Sequence, residues 1–301
     1  MNGAEFVPLS LPPIVIGSLA AIACALPGNF LVLRRQALIG DAISHVVFPG
    51  IVVAFLLTGV VSSWAMLGGA AAASLFAVAM IEGIRRFGRI EPGAAMGVTF
   101  TAMFAAGVLL LERSDTSGVH LDVEHALYGN LESLIWLDAT GWESVLDPVA
   151  LAGLPPEFFR LAIVTLAVAV MTFVFWRPLA ISTFDEKFAG SLDLPVRALG
   201  LGLVFVSAIA AVAAFDAVGS IIVIAMFICP PAAARLMTFR LGAQVAWSLA
   251  FALISAVAGF FLAGYGPLWF GAENALSAAG MIASVSGLIL AVVALFGPAR
   301  R

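Results

Sequence analysis

The sequence predicts an all-α polytopic membrane protein of about nine transmembrane helices, and three observations predict it. Of 301 residues, 62% are hydrophobic and only 11% are charged, where roughly 25% charge is usual in a soluble domain. Apolar runs of about 18 residues or more, enough to cross a hydrocarbon layer of roughly 30 Å, fill most of the chain. The basic residues, finally, cluster in alternate gaps between those runs. A single water-soluble core, a disordered chain, a nucleic-acid-binding protein and a disulfide scaffold are thereby excluded. The chain reads as one membrane-embedded domain over residues 1–301, and its net charge of −4 names no partner by itself.

Taken in order, the first apolar run covers 11–33. The ten residues before it lack the basic start of a cleavable secretory signal, so the run is expected to remain as a span. Arg34 and Arg35 end it. The second run, 42–60, begins just after Asp41 and holds Pro49 and Gly50, a pair that weakens a helix and is tolerated where backbone lines a cavity. The third, 62–82, closes on Glu82, which an i,i+3 or i,i+4 pair with Arg85 or Arg86 accounts for. Further runs follow at 94–111, 158–176, 198–214, 217–235, 244–264 and 275–296. Asp216 falls between the sixth and seventh and is expected in a short turn. Cys229-Pro230-Pro231 marks a kink before Arg235.

Orientation follows from the basic residues. Twelve of the 14 (Arg34, Arg35, Arg85, Arg86, Arg89, Arg177, Lys187, Arg197, Arg235, Arg240, Arg300 and Arg301) fall on one side, leaving Arg113 and Arg160 opposite. The positive-inside bias puts the N-terminus outside and the C-terminus in the cytoplasm, which requires an odd number of spans.

Two gaps are long enough to carry structure. The external one, Glu112 to Glu157, holds nine of the chain's 18 acids. Such a surface concentrates cations within about 8 Å at physiological salt; a solvated loop on the side that avoids Lys and Arg explains the same acidity. Leu127, Tyr128, Leu131, Leu134, Ile135 and Trp136 are spaced like an interfacial helix, with Tyr128, Trp136 and Trp142 as headgroup anchors. The cytoplasmic gap, Pro178 to Pro195, reads PLAISTFDEKFAGSLDLP. Ser182 or Thr183 is expected to cap a short helix with Asp185 and Glu186 in its first turn and Gly190 near its end.

Scarce residue types narrow the chemistry. Cys24 and Cys229 sit in apolar runs without a CxxC partner and read as buried small hydrophobes. Lys187 is the only lysine and Gly-Lys never occurs, so a GxxxxGK[ST] phosphate loop is impossible and ATP cannot be hydrolysed through one. HExxH and GxSxG are also absent.

The most informative stretch is LRRQALIGDAISHVVFPGI, residues 33–51. Asp41 and His45 are four apart, so on a helix their Cβ atoms lie about 5–6 Å from each other on one face, with Ser44 beside them. A carboxylate at mid-depth costs roughly 2.5–3.5 kcal/mol on insertion scales, and such groups face a cavity, a partner or a pathway. Two readings stand side by side: Asp41 as a helix N-cap taking a ring N–H from His45, or carboxylate and imidazole together contacting a divalent transition metal. Two ligands are too few for a closed site, and a two-fold dimer would double them. His120, Asp122, Glu124 and His125 form a second cluster, read as a solvated loop or as a metal collector at the outer mouth.

LRRQALIGDAISHVVFPGI strongly resembles a segment of the membrane permease subunits of bacterial ABC importers for manganese, zinc or iron, the ABC-3 family. FDEKFAGSLDLPV looks like that family's cytoplasmic coupling segment, EHALYGNL like an external stretch and DAVGSIIVIAMFICPPAAARL like one of its helices, all in the family's order. The resemblance implies the permease fold of vitamin B12 and siderophore importers, working as a homodimer or paired permeases in the lipid bilayer of the inner membrane. It implies two cytoplasmic ATP-binding-cassette ATPase subunits, an extracytoplasmic metal-binding receptor and a divalent metal as cargo rather than as a resident cofactor. By resemblance Asp41 and His45 match the family's Asp-x-x-x-His, to which ion contact is attributed. Segment 178–196 matches the coupling segment, whose Asp185, Glu186 and Phe188 are expected to touch the ATPase. No family role carries over to Asp216. The rivals are a proton-coupled secondary carrier titrating through Asp41 and His45 and a non-transporting membrane scaffold.

Overall fold

The structure, a computed structural model, describes residues 3–36, 38–59, 63–113, 131–269, 271 and 276–299. Among the described residues twelve α-helices follow in order: α1 Gly3–Leu9, α2 Leu11–Leu33, α3 Leu38–Thr58, α4 Ser63–Gly88, α5 Pro92–Arg113, α6 Pro148–Ala152, α7 Pro156–Val174, α8 Trp176–Phe184, α9 Glu186–Ser191, α10 Val196–Met237, α11 Leu241–Trp269 and α12 Ala278–Phe296. Two 3-10 turns, Leu131–Ser133 and Trp142–Leu146, lie between α5 and α6. Among the described residues there is no strand. Helix is the form in which a chain this apolar pairs every backbone polar group within its own segment, as hydrocarbon demands.

Among the described residues eight stretches are long and apolar enough to cross a membrane: Glu5–Leu33, Gly68–Gly88, Gly93–Arg113, Pro156–Val174, Val196–Phe215, Ala217–Met237, Leu241–Trp269 and Ala278–Phe296. The remaining apolar run forms α3, in which His45–Thr58 counts as a shorter apolar helix. The chain is thus an all-helical, multi-pass membrane protein.

Helices α2 and α10 make the centre. Ala20, Ala21, Ala23, Cys24, Ala25 and Leu26 of α2 are buried, as are Ala210 to Ala214, Met226 and Phe227 of α10. The two backbones approach so closely that a methyl group at Gly28 would lie 2.6 Å from the Phe227 carbonyl oxygen. Small residues drive such contact where no hydrophobic force operates between helices. Fully buried Gln244 of α11 donates to Asn29 Oδ1 of α2 at 3.3 Å, and Asn29 donates to the Ala25 carbonyl at 2.7 Å.

Within α10, Gly219 divides two helices at a kink, with φ 76° and ψ 172°, a conformation open to glycine. The break turns the chain back. A methyl at Gly200 would lie 3.3 Å from Nη1 of Arg34, at the end of α2, and Phe227 and Pro231 lie against Gly28, six residues earlier. Both ends of α10 therefore sit at the Arg34 end of α2. At 1.5 Å per residue the limbs before and after Gly219 rise about 34 and 27 Å, each close to a hydrocarbon thickness. The expected turn at Asp216 is corrected by this: residue 216 is still helical, and the break falls three residues later.

Alternation of the helices then sorts the charges. Arg34, Arg35, Arg85, Arg86, Arg89, Arg177, Lys187, Arg197, Arg235 and Arg240 belong to the Arg34 end, whereas Arg113 and Arg160 belong to the other. Glu82 pairs with Arg85 at 3.0 Å and Arg86 at 3.6 Å, as its spacing predicted. Cys24 is buried and Cys229 half-buried, and neither is in a disulfide.

Between Pro178 and Pro195 the expected short helix is present, but its cap is different. Asp185 is the N-cap of α9 and accepts from the Phe188 amide at 2.9 Å. The hydroxyls of Ser182 and Thr183 belong instead to α8, whose start at Trp176 places Pro178 in the first turn, where no intrahelical donor is lost. They accept from Arg34, Nη2 to Ser182 Oγ at 2.8 Å and Nε to Thr183 Oγ1 at 3.0 Å. A tertiary donor has taken the oxygens that local propensity assigned to capping.

A third correction concerns the interfacial helix expected around residues 127–136. No interfacial helix forms over its described part; only the 3-10 turn at Leu131–Ser133 does. Trp136 is buried with Val7, Ala139 and Ala150, its indole donating to the Ala150 carbonyl at 2.7 Å and its amide to the Pro8 carbonyl at 2.9 Å. It is a core residue because the chain folds back over α1, leaving no face for headgroups. Trp142 remains exposed and stacks on Phe6 at 5.9 Å.

Two outcomes are expected. Gly50→Ala puts a methyl 2.6 Å from the Gly69 carbonyl oxygen, whereas Gly97→Ala meets nothing within 4 Å. In thermal melts of the detergent-solubilised protein, Gly50→Ala should lower stability by about 1–3 kcal/mol, and Gly97→Ala should leave it unchanged or raise it. Asp185→Ala should cost α9 about 1 kcal/mol, read as roughly fivefold faster hydrogen exchange over 186–191 with the other helices unaltered.

Candidate functional site

Three close contacts fix α3. At Gly40 an added methyl would meet the Phe227 ring of α10 at 2.8 Å; at Gly50 it would meet the Gly69 carbonyl of α4; and a methyl on Gly107 of α5 would meet Pro49 at 2.6 Å. These positions bracket Asp41 and His45 on both sides. Helix α3 continues through Pro49, which brings no amide hydrogen to the carbonyl of residue 45.

The ring of His45 is half-buried. It stacks on Phe100 of α5 at 5.2 Å between centroids and 21° between planes, and meets Phe104 edge-on at 6.2 Å, with Phe48 against Phe104 at 5.7 Å. Aromatic faces hold the imidazole by its plane. They leave ring orientation, and hence the direction of the nitrogens, largely determined by packing. The backbone of Asp41 is helical and one turn before His45, so the predicted spacing on one helix holds; the side chain of Asp41, like that of Asp216, lies outside the described residues. Among the described residues no group of three or more His, Cys, Asp or Glu converges as a metal cluster. His120, Asp122, Glu124, His125 and Tyr128 also lie outside the described residues.

At the Arg34 end, α8 and α9 form a compact knob. Ala189 is its buried contact, while Asp185, Glu186, Lys187 and Phe188 are exposed. Phe184, Phe188 and Leu192 are 57%, 52% and 49% exposed, an apolar face framed by charge. Phe184 and Leu192 escaped the sequence reading; their spacing of four from Phe188 was the available signal. Burial lowers the pKa of the Arg34 guanidinium, and the Glu186 carboxylate acts against that shift. Arginine's high starting value keeps it charged.

At the opposite end the segment from Leu131 to Pro155 is tied down. A Glu132 carboxylate oxygen accepts from the Ala278 amide at the start of α12, satisfying an orphan donor and the positive end of the helix dipole. Asp147 caps α6, accepting from the Val149 amide at 2.9 Å. Two of the loop's acids thus serve helix termini.

The chain matches the profile of the ABC 3 transport family over residues 8–138 and 151–296. It is 37% identical to the manganese transport system membrane protein MntD of Bacillus subtilis, across 95% of this chain and 92% of that protein. It is 34% identical to the zinc transport system membrane protein TroD of Treponema pallidum, across 96% and 74%. Among solved structures it superposes on PsaBC from Streptococcus pneumoniae in complex with Fab, with a TM-score of 0.75 and 26% identity over 96% and 92% of the chains. It also shares its fold with an inward-facing metal-chelate type ABC transporter, with a TM-score of 0.66, 14% identity and coverage of 97% and 88%. With its α3 motif, its helical knob and these matches along nearly its whole length, the chain belongs to the ABC 3 transport family, as a membrane permease subunit and not an enzyme.

Proposed function

We propose that this chain is the permease of an ABC importer that carries a divalent transition metal, Mn²⁺, Zn²⁺ or Fe²⁺, inward across the bacterial inner membrane. Asp41 and His45 make the transient ion contact. The observation that carries the reading is His45 held by its ring plane on a helix clamped from three sides, one turn from a carboxylate-bearing residue. The manganese and zinc transport membrane proteins that the chain resembles end to end support it.

The chemistry follows from the donor set. A carboxylate oxygen and an imidazole nitrogen suit manganese, zinc and iron alike. One such pair is half of the four ligands that a tetrahedral zinc site takes. A second copy of the chain, facing the first about a two-fold axis, brings the second Asp41–His45 pair and completes the set. A site shared across copies opens when they separate, so the ion is held long enough to be selected and briefly enough to leave. ATP is hydrolysed on a separate cytoplasmic ATPase, which Asp185, Glu186 and Phe188 meet. The external segment meets a metal-binding receptor. The basic Arg34 end faces the cytoplasm, so that the N-terminus lies outside and the C-terminus inside.

In vesicles containing the permease with its ATPase, Mn²⁺ or Zn²⁺ uptake should require ATP. Asp41→Asn or His45→Gln should each lower it at least tenfold, about 1.4 kcal/mol in barrier, without loss of folded protein on size-exclusion chromatography. Phe188→Ala should weaken retention of the ATPase. Uptake by this chain alone under a pH gradient would identify a secondary carrier, and unchanged uptake in both site variants would sink the ion contact.

A further inference from the structure

The α2–α3 connection opens with a hydrogen-bonded turn. The Gln36 amide donates to the Leu31 carbonyl at 2.8 Å and the Arg35 amide to the Val32 carbonyl at 3.1 Å, with Arg35 at φ 57°. This is the paired 6→1 and 5→2 arrangement of a Schellman motif. An arginine occupies the left-handed position that glycine usually takes, and that place was not vacated for flexibility. The Ile39 amide then donates to the Gln36 carbonyl at 3.0 Å, so α3 starts directly from the turn.

Out of this turn projects the side chain of Arg34. Its guanidinium is half-buried and reaches three separate elements. It donates to Ser182 Oγ and Thr183 Oγ1 at the C-terminal end of α8, where helix carbonyls favour a cation. It feels the Glu186 carboxylate in the first turn of α9. It also lies beside Gly200 near the start of α10, where an added methyl would come within 3.3 Å of Nη1. Ser182 is buried and donates in turn to the Leu179 carbonyl at 3.2 Å, so the acceptor is itself anchored. Charge-assisted bonds from a planar fork fix direction as well as distance.

We propose that Arg34 is the positioning residue that couples the α8–α9 knob to α3, so that displacement of the knob moves the helix carrying Asp41 and His45. This rests on the importer reading above. The knob has no other charged tie to the α2–α3 turn among the described hydrogen bonds and ion pairs. A push on α9 reaches α8 through Asp185, passes into Arg34 through two hydroxyls, and meets a turn closed by two backbone hydrogen bonds. Lysine at 34 would keep the charge and lose the fork.

The test uses the permease purified with its ATPase and reconstituted in vesicles, with Mn²⁺ and Zn²⁺ as probes and uptake measured against ATP hydrolysed. Arg34→Gln should retain the ATPase and hydrolyse ATP within twofold of the unaltered complex while uptake per ATP falls at least tenfold. Arg34→Lys should recover part of the loss. Ser182→Ala/Thr183→Ala, which leaves the arginine in place, should lower uptake per ATP as Arg34→Gln does and guards against misfolding at position 34. An independent arm needs no cargo: nitroxides at Gln36 and Ser191 should report one narrow distance in the unaltered chain and a broadened one in Arg34→Gln. Unchanged uptake per ATP in both altered complexes, equal loss of hydrolysis and uptake, or an unbroadened distance would overturn the coupling. A spin-label result as expected beside an unaltered complex that imports neither metal would overturn the importer reading and leave only a mechanical link, refuting its role in import.

Discussion

The position of α3 depends on backbone approach that only glycine permits. Gly40, Gly50 and, from the facing helices, Gly69 and Gly107 remove side chains at the places where α10, α4 and α5 press against it. In hydrocarbon there is no water to expel from between apolar helices, so association rests on dispersion at short range and on lipid entropy. Dispersion decays steeply with separation: a gap of 0.5–1 Å forfeits a quarter to a half of each contact. Close approach on three sides is therefore what makes α3 a fixed reference for a half-buried imidazole, and the aromatic pair Phe100 and Phe104 only finishes what the glycines begin.

The same principle explains the centre of the molecule. Helices α2 and α10 meet through alanines and Gly28, and this leaves little volume for polar side chains. Two buried amides there, Asn29 and Gln244, meet through the Gln244 amide nitrogen and Asn29 Oδ1, and Asn29 donates to the Ala25 carbonyl, in a place where an unpaired donor would cost several kcal/mol. Such a pair fixes the rotation of α11 against α2, because a helix turned by one residue, about 100°, would break it. Gly219 then lets α10 supply two antiparallel spans from one continuous sequence, which keeps the central helix and its neighbours at short loop cost.

Much of this was legible in the sequence, for identifiable reasons. Apolar run length reports spans directly, since the bilayer sets it, and among the described residues eight of the nine runs give helices long and apolar enough to cross, the ninth a shorter apolar helix in α3. The Glu82 pairs follow from helix geometry alone. The short capped helix after Phe184 was visible because Asp, Gly and Pro punctuate it. What stayed hidden required knowledge of distant chain. Ser182, Thr183 and Asp185 have similar capping strength, and the choice among them was made by Arg34, almost 150 residues away. Trp136 carries the signature of an interfacial anchor, yet the return of the chain onto Pro8 and Ala150 buries it. The spacing of Asp41 and His45 was legible, while the packing around it was not, because it lies in glycines of α3, α4 and α5 and in Phe227 of α10.

The two ends of the bundle are held by different chemistry, and the difference has a mechanical meaning. At the Leu131 end the ties are a small apolar core around Val7 and Trp136, neutral bonds from the indole and its amide, and one carboxylate on the α12 terminus. Those contacts are spread over α1, α6 and α12, so no single one governs the end. At the Arg34 end one guanidinium joins α2 to α8 and lies against α10. A tie concentrated in one ionised group is stronger per bond than a neutral one by roughly twofold, and it is directional. Load applied at that end is therefore channelled, whereas load at the other end is shared. Since α3 leaves the Arg34 turn, meets α10 at Gly40 and is gripped farther along by α4 and α5, the channelled displacement reaches residues 41–45 as a shift of α3 against the Phe227 ring, within two turns of its start and before the Gly50 and Pro49 contacts resist it.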